Sequence, residues 1–170
     1  MKDAVPQEHK ARAPASVGCF VLTISDSKTP ETDTSGALIR DLLSAAGHRI
    51  TGHAIVKDEP AQVAAVIRSG CAAPSVEAFI LTGGTGITSR DSTYEAIEAL
   101  LDKRLAGFGE LFRMLSYQEI GAAAMLSRAQ GGVVQGRVLF SLPGSPNACR
   151  LALEKLIVPE LPHLIREVRR

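Results

Sequence analysis

Apolar residues in the first half of the chain fall into short continuous runs separated by stretches with helical spacing. The runs at residues 19–24 and 78–82 are rich in strand formers and predict strands buried on both faces, and residues 48–56 alternate loosely, as in a third strand. Between them, apolar positions three or four residues apart predict helices that begin at residues 34 and 60. The order strand, helix, strand, helix, strand is typical of a parallel sheet.

The second half of the chain is less regular, but its main elements can also be predicted. A helix begins near Ser92, where Glu95 completes an S-x-x-E capping box, and residues 108–120 have helical spacing. Residues 129–134 and 137–142 are expected to pair as a hairpin. We therefore expect a three-layer α/β/α fold, with a mostly parallel sheet, helices on both faces and a C-terminal hairpin strand.

A serine and several prolines mark the last elements. Ser145 is expected to cap a helix whose first residue is Pro146. It is not expected to be a nucleophile, because the segment lacks the final glycine of the nucleophile elbow G-x-S-x-G. Pro159 and Pro162 are expected to interrupt the final segment, so that residues 161–168 form a separate short helix.

The composition narrows the class of protein. A chain of 170 residues predicts one domain at residues 17–170 behind a disordered tail at residues 1–16. The 45% hydrophobic content excludes a disordered chain, and a net charge of +1 supplies no strong field for a polyanion. With five Phe, two Tyr and no Trp, a stacking surface for nucleic acid is not expected. Association with a membrane is not expected either, since no apolar run approaches the roughly 18 residues of a membrane span.

The cysteines and histidines lack the spacing of a metal site. No CxxC pair occurs, which favours a cytoplasmic protein in which Cys19, Cys71 and Cys149 are small buried hydrophobic residues. The histidines fall in unrelated segments and are not expected to bind a metal or to activate a serine. They are His9, His48, His53 and His163.

Three loops follow the carboxyl ends of the predicted parallel strands, the edge at which open α/β sheets bind ligands. The first loop contains Ser25 and Asp26, the second contains Asp58, and the third runs from a glycine-rich turn to Arg90 and Asp91. Because parallel strands end on the same side of a sheet, we expect these loops to share one rim.

The turn Thr82-Gly83-Gly84-Thr85-Gly86 is the most informative local pattern. Its glycines allow positive φ angles and a close approach of backbone N–H groups to a phosphate. It is neither a Walker loop nor a dinucleotide fingerprint, since no Gly-Lys-Ser/Thr follows and Ser89 stands where the third glycine would be. A tight strand-to-helix turn without a ligand is the alternative.

Asp58 and Asp91 are candidates for magnesium binding, because Mg²⁺ takes one or two carboxylates together with phosphate oxygens. Arg90 could neutralise a phosphate beside them. The other interpretations stay open: Asp58 could cap the helix at Pro60, Asp91 could precede the cap at Ser92, and Arg90 could be a solvated charge.

Four motifs, in this order, resemble the MoaB/MogA family, and its MoaB branch in particular, over residues 18–169. They are Leu81-Thr82-Gly83-Gly84-Thr85-Gly86 with the following Arg90-Asp91, Gly107-Phe108-Gly109-Glu110, Ser127-Arg128-Ala129 and Pro143-Gly144-Ser145. The resemblance implies a protein of molybdenum cofactor biosynthesis that binds molybdopterin. In active members it also implies transfer of AMP from ATP to the terminal phosphate of molybdopterin, with Mg²⁺ and with release of pyrophosphate.

The same resemblance implies roles for the candidate residues. Residues 82–86 would cradle phosphate, and Asp58 and Asp91 would be the catalytic residues that position magnesium and the reacting groups. The residues implied on the nucleotide and pterin sides are Ser25, Asp26, Gly144 and Ser145. A homotrimer or a hexamer is implied as well. A non-catalytic molybdopterin carrier and an assembly module with the same fold are the alternatives.

Overall fold

The computed structural model describes residues 14–89 and 91–170, so most of the expected tail at residues 1–16 lies outside the described residues. The strands are β1 (Gly18–Ile24), β2 (Arg49–Val56), β3 (Ala78–Gly83), β4 (Lys103–Arg104), β5 (Gln130–Val134) and β6 (Arg137–Leu142). The α-helices are α1 (Thr34–Ala45), α2 (Pro60–Cys71), α3 (Thr93–Leu100), α4 (Ala106–Ile120), α5 (Pro146–Ala152) and α6 (Val158–Val168). A 3-10 helix (Gly121–Leu126) follows α4, and a π-helical segment (Leu153–Ile157) joins α5 to α6.

The six strands form one sheet in the order β2-β1-β3-β6-β5-β4. The first four in this order run parallel, whereas β5 is antiparallel to both β6 and β4. Gln135 and Gly136 connect β5 to β6 with φ angles of 46° and 73°, the conformation that a two-residue hairpin turn requires. The expected three-layer fold with a hairpin strand is therefore confirmed.

The sheet separates two apolar cores, because alternate side chains of a strand point to opposite faces. Cys19 and Val21 of β1 belong to a core that includes residues of α1, α4, α5 and α6. Leu22 and Ile24 of the same strand belong to a second core with residues of α2 and α3. Burial on both faces explains why β1 is a continuous apolar run.

The capping box predicted for α3 does not form. Ser92 is the N-cap residue, but its side chain makes no capping hydrogen bond. Glu95 accepts instead from the Arg128 guanidinium. In a capping box the Glu95 carboxylate would accept from a neutral backbone N–H, whereas here it pairs with the cationic guanidinium of a residue distant in the chain.

The break expected at the last two prolines is also wrong. The chain passes through the π-helical segment directly into α6, with Pro159 in the first turn and Pro162 inside the helix. Leu161 and Ile165 of α6 are at most 2% exposed, so burial of this face stabilises a helix that local propensity would end.

Strand β4 was not predicted from the sequence. Its two exposed residues are too few to show any periodicity, and the strand is defined by its pairing with β5.

Other local expectations are confirmed. Gly47 follows α1 with a φ of 84°, and Ser145 Oγ accepts a hydrogen bond of 3.2 Å from the Ala148 N–H at the start of α5. All three cysteines are free and buried. Among the helices of the described residues, none has the length and apolar content that crossing a bilayer requires.

Candidate functional site

The carboxyl ends of β1, β3 and β6 lie side by side and border a cleft of about 80 Å³. We call it the rim cleft. It contains three residues that the sequence singled out on separate loops, namely Ser25, Gly83 and Gly144. Its other lining residues are Thr23, Ile24, Lys28, Asp33, Ser35 and Thr82.

The glycine turn begins where β3 pairs with β1. Gly83 and Gly84 have φ angles of 93° and 67°, as expected for this turn. A Cβ atom placed on Gly83 would lie 2.1 Å from the Ile24 carbonyl oxygen, so only glycine fits there. The Thr82 hydroxyl points into the protein and donates to the Pro143 carbonyl at 3.1 Å, so this side chain is used by the fold.

The backbone N–H groups of the turn differ from its carbonyl groups in their hydrogen bonds to the rest of the described chain. In the described part of the chain, no protein acceptor receives a hydrogen bond from the N–H groups of residues 84–87. The carbonyl groups of the same turn are engaged, because the Arg128 guanidinium donates to the Thr85 oxygen at 3.2 Å and to the Gly86 oxygen. The turn is therefore held by its oxygens, and its N–H groups remain available to an anion.

Asp58 and Asp91 both lie against this turn. Asp58 Oδ1 is 3.4 Å from the position of a Cβ atom on Gly84, and Asp91 Oδ2 lies against the equivalent position on Gly86. Because three consecutive residues span at most about 7 Å, the two carboxylates flank one short stretch of backbone. The structure thus brings together the two acidic residues that the sequence placed on separate loops.

The two carboxylates differ in their surroundings. Asp91 Oδ2 accepts from the Thr88 N–H at 2.7 Å and from its hydroxyl at 2.8 Å. Asp58 Oδ1 is buried without a hydrogen-bond partner among the described residues, while its backbone N–H donates to Asp26 Oδ1 at 3.1 Å. Asp58 does not cap α2, whose N-cap residue is Glu59. An unpartnered buried carboxylate oxygen is costly unless a cation or donor approaches it.

Thr93 is a site residue that the sequence reasoning missed. It is the first residue of α3 and is fully buried, and its Oγ1 has no hydrogen-bond partner among the described residues. Its methyl group lies 3.0 Å from the position of a Cβ atom on Gly84. The side chains of Thr93 and Asp58 therefore both lie against Gly84, and each has a buried oxygen without a hydrogen-bond partner among the described residues.

Asp33 forms a second buried polar cluster beside the rim cleft. Its Oδ1 accepts from the Gly36 N–H at 2.9 Å and caps α1, while Oδ2 accepts from the Thr23 hydroxyl at 2.6 Å. His53 Nε2 of β2 lies 3.0 Å from the same Oδ2. An aspartate before a helix signals a cap, but nothing in the sequence connects it to a histidine on another strand.

The loop after β6 closes the cleft on its other side. The Ser35 hydroxyl donates to the Gly144 carbonyl at 2.7 Å, which ties α1 to this loop. Ser145 contributes a helix cap, as described above. Cys149 Sγ lies 3.2 Å from Thr82 Oγ1, and burial raises the pKa of this thiol to about 11, which keeps it protonated.

The described residues contain no group of three or more His, Cys, Asp or Glu side chains that could hold a metal ion by themselves. Arg90, expected to neutralise phosphate, lies outside the described residues.

The family profile described as "Probable molybdopterin binding domain" matches residues 20–163, most of the chain. The chain belongs to the MoaB/MogA family of molybdenum cofactor biosynthesis proteins. Among similar MoaB/MogA proteins, the molybdenum cofactor biosynthesis protein B of Bacillus subtilis is 52% identical over 165 residues, 96% of this chain and 97% of the relative. That of Halalkalibacterium halodurans is 51% identical over 163 residues, 95% and 96% of the two chains.

Solved structures of MoaB/MogA proteins have the same fold. A crystal structure of a molybdenum cofactor biosynthesis protein B matches with a TM-score of 0.90 and 52% identity, covering 94% of this chain and 99% of that chain. The tungsten cofactor synthesizing protein MoaB from Pyrococcus furiosus matches with a TM-score of 0.82 and 40% identity, covering 93% and 100%. The predicted resemblance, including the MoaB branch, is confirmed.

Proposed function

We propose that this chain acts in molybdenum cofactor biosynthesis as a molybdopterin adenylyltransferase. It binds molybdopterin and Mg-ATP and transfers AMP to the terminal phosphate of the pterin. The observation that supports this best is the glycine turn. The backbone N–H groups of residues 84–87 have no acceptor in the described part of the chain, and Asp58 and Asp91 lie against Gly84 and Gly86 of the same turn. Such a site suits a polyanion accompanied by a cation.

The reaction needs little covalent chemistry from the protein. An oxygen of the molybdopterin phosphate forms a bond to the α-phosphorus of ATP, and the bond from that phosphorus to the bridging oxygen breaks, so that pyrophosphate leaves with the electron pair. The task of the chain is to hold two anions in line and to offset their repulsion. The N–H groups of residues 84–87 bind phosphate oxygens, and the rim cleft, with Ser25, Gly83 and Gly144, receives the adjoining group.

Magnesium fits the residues that the site offers. Asp58 Oδ1 is buried and has no hydrogen-bond partner among residues 14–89 and 91–170, so a divalent cation would remove the desolvation penalty of this oxygen. Asp91, held by Thr88, lies against Gly86, two residues further along the turn, and would orient a water ligand of the ion or a phosphate. When bound, the ion supplies charge neutralisation between the two phosphates.

The direct test is pyrophosphate release by the full chain with molybdopterin and Mg-ATP. We expect release from the wild type, and a loss of roughly 100-fold in Asp58→Asn and in Asp91→Asn, since misplacement of reacting groups has effects of this size. Asp41→Asn is the matched control, because Asp41 is an exposed acid on α1. It should release pyrophosphate at the wild-type rate.

The outcome also separates this function from its alternatives. Molybdopterin binding without pyrophosphate release, in the wild type as in the variants, would identify a carrier. If the wild type binds neither molybdopterin nor ATP, the chain is an assembly module and the proposed function is refuted. Activity that survives in both Asp58→Asn and Asp91→Asn would refute the assigned roles but not the reaction.

We also propose that the chain is a homo-oligomer, either a trimer or a hexamer built from two trimers, assembled through α4 and the 3-10 helix after it. Four large apolar side chains lie three residues apart along α4 and are 48–63% exposed, and Met125 and Leu126 continue the surface at 80% and 59%. The four are Leu111, Met114, Tyr117 and Ile120. A continuous apolar face of this kind marks an interface in soluble proteins. Sedimentation analysis of Met114→Glu should show smaller species than the wild type.

A further inference from the structure

Arg128, which precedes β5, uses its whole guanidinium group on the glycine turn and the helix that follows it. Nε donates to the Thr85 oxygen at 3.2 Å, Nη2 donates to the Gly86 oxygen, and Nη1 donates to Glu95 Oε1 on α3. The aromatic ring of Tyr94 covers one face of the guanidinium, 4.4 Å from its central carbon. No other side chain in the described part of the chain donates to carbonyl groups of this turn.

The contacts of Arg128 with the two carbonyl oxygens also fix the direction of the N–H groups in the same peptide planes. In a planar trans peptide the C=O and N–H groups point in opposite directions, and the described residues contain no cis peptide. The Thr85 oxygen shares a peptide plane with the Gly86 N–H, and the Gly86 oxygen shares one with the Ile87 N–H. Holding both oxygens on the Arg128 side therefore directs both N–H groups away from it.

Arg128 does not act as a charge for the ligand. Glu95 pairs with it directly, and hydrogen bonds from the Glu95 backbone N–H and from Arg128 lower the pKa of this glutamate, so the carboxylate is ionised and offsets the positive charge. Only 22% of the Arg128 side chain is exposed. Its effect on a bound phosphate must pass through the backbone that it holds.

We infer that Arg128 is a positioning residue that orients two successive peptide planes, so that the N–H groups of Gly86 and Ile87 converge on one phosphate oxygen. This inference rests on the proposed function for the identity of the ligand, a polyphosphate. The planar fork of arginine can hold two carbonyl oxygens and a carboxylate at once, whereas the single ammonium group of lysine cannot hold all three in this geometry.

The test compares Arg128→Gln and Arg128→Lys with Arg104→Gln. Arg104 also pairs with a glutamate of α3, Glu98, at 3.0 Å, but the structure shows no contact of its side chain with the turn. Residual dipolar couplings measure the orientation of the Gly86 and Ile87 N–H vectors in the free protein. Calorimetry with magnesium pyrophosphate measures binding, and circular dichroism confirms that each variant is folded.

We expect the two N–H vectors to reorient in Arg128→Gln and less so in Arg128→Lys, and to keep their wild-type orientation in Arg104→Gln. The Kd for magnesium pyrophosphate should rise roughly 10- to 100-fold in Arg128→Gln, the range for residues that orient a binding group. In Arg128→Lys the rise in Kd should be smaller. If one of the two Arg128 variants does not fold, the other is compared with Arg104→Gln.

Two results would overturn the inference. Unchanged N–H vectors in the folded Arg128 variants exclude the positioning role, whatever happens to binding. Reoriented vectors with wild-type pyrophosphate affinity show that these N–H groups do not bind the phosphate. If the wild type binds no pyrophosphate while the vectors still depend on Arg128, the assignment of a phosphate to these N–H groups fails and only the structural part of the inference survives. Failure of the proposed function is recognised separately, by a wild type that binds neither molybdopterin nor ATP.

Discussion

Replacing Gly83 by alanine introduces a methyl group at the point where the glycine turn leaves the sheet. The added Cβ would lie 2.1 Å from the carbonyl oxygen of Ile24, and the residue would keep a φ of 93° that side chains disfavour. Gly47 provides a matched control, since its φ is 84° but no atom lies within 4 Å of an added Cβ. The two variants share the conformational penalty, and only Gly83→Ala adds the clash.

The two contributions can be estimated separately. A side chain in the left-handed region costs about 1–2 kcal/mol, which is the whole expected effect of Gly47→Ala. A clash in a packed region adds about 1–3 kcal/mol, and here the upper part applies because Ile24 pairs with Gly83 in the central β1–β3 ladder and its oxygen cannot rotate away. We expect the free energy of unfolding to fall by about 3–5 kcal/mol in Gly83→Ala.

Urea unfolding followed by circular dichroism measures both variants, since the chain has no Trp for fluorescence. Protein concentration must be the same throughout, because self-association would add to the apparent stability. Equal losses in Gly83→Ala and Gly47→Ala would show that the turn can move away from β1. That result would refute the conclusion that contact with the Ile24 carbonyl allows only glycine at position 83.

Three further outcomes are expected. Thr93→Val should leave the free energy of unfolding unchanged or slightly higher, because it removes a buried hydroxyl without a described partner, yet calorimetry should show weaker magnesium pyrophosphate binding if that hydroxyl serves the ligand. Cys19 and Cys149 should resist iodoacetamide at pH 8 in the folded protein, as mass spectrometry would show, because burial raises their pKa values to about 12 and about 11. Burial lowers the pKa of His48 in the folded protein. As the pH falls below about 6.5, His48 therefore takes up a proton in the unfolded protein before it does so in the folded one. The free energy of unfolding, measured by urea titration, should decline in this pH range.

The cysteine and histidine expectations can each be contradicted by a specific result. Rapid alkylation of Cys19 and Cys149 at a urea concentration below the unfolding transition would contradict their burial. His48 Nδ1 accepts from the Val17 N–H at 3.3 Å, and the amide oxygen of His48→Asn can accept the same bond without titrating. The decline below pH 6.5 should therefore be shallower in His48→Asn, and an identical pH profile would assign the effect to another group.

The local sequence pattern was sufficient to predict an element whose own burial or torsion angles restrict which residues it can contain. Strands β1 and β3 are covered on both faces, which leaves only a continuous apolar run as a workable sequence, and the β5–β6 turn needs positive φ at Gln135 and Gly136. Local pattern failed where a distant partner decides, because Glu95 looks like part of a capping box but binds Arg128, 33 residues away. Pro162 looks like a helix break but lies in a helix stabilised by its buried face.

For this protein, the amino-acid sequence alone determined the strand and helix order, the parallel arrangement and the composition of the glycine turn, because each depends on contacts or torsion angles within a few residues. Only the tertiary structure decided which groups share the site. Asp33 pairs with His53, Asp58 and Thr93 both lie against Gly84, and Arg128 binds the turn, so segments far apart in the chain meet at the site. Such contacts produce no periodic pattern in the sequence, since they form where the loops after different strands meet at one edge of the sheet.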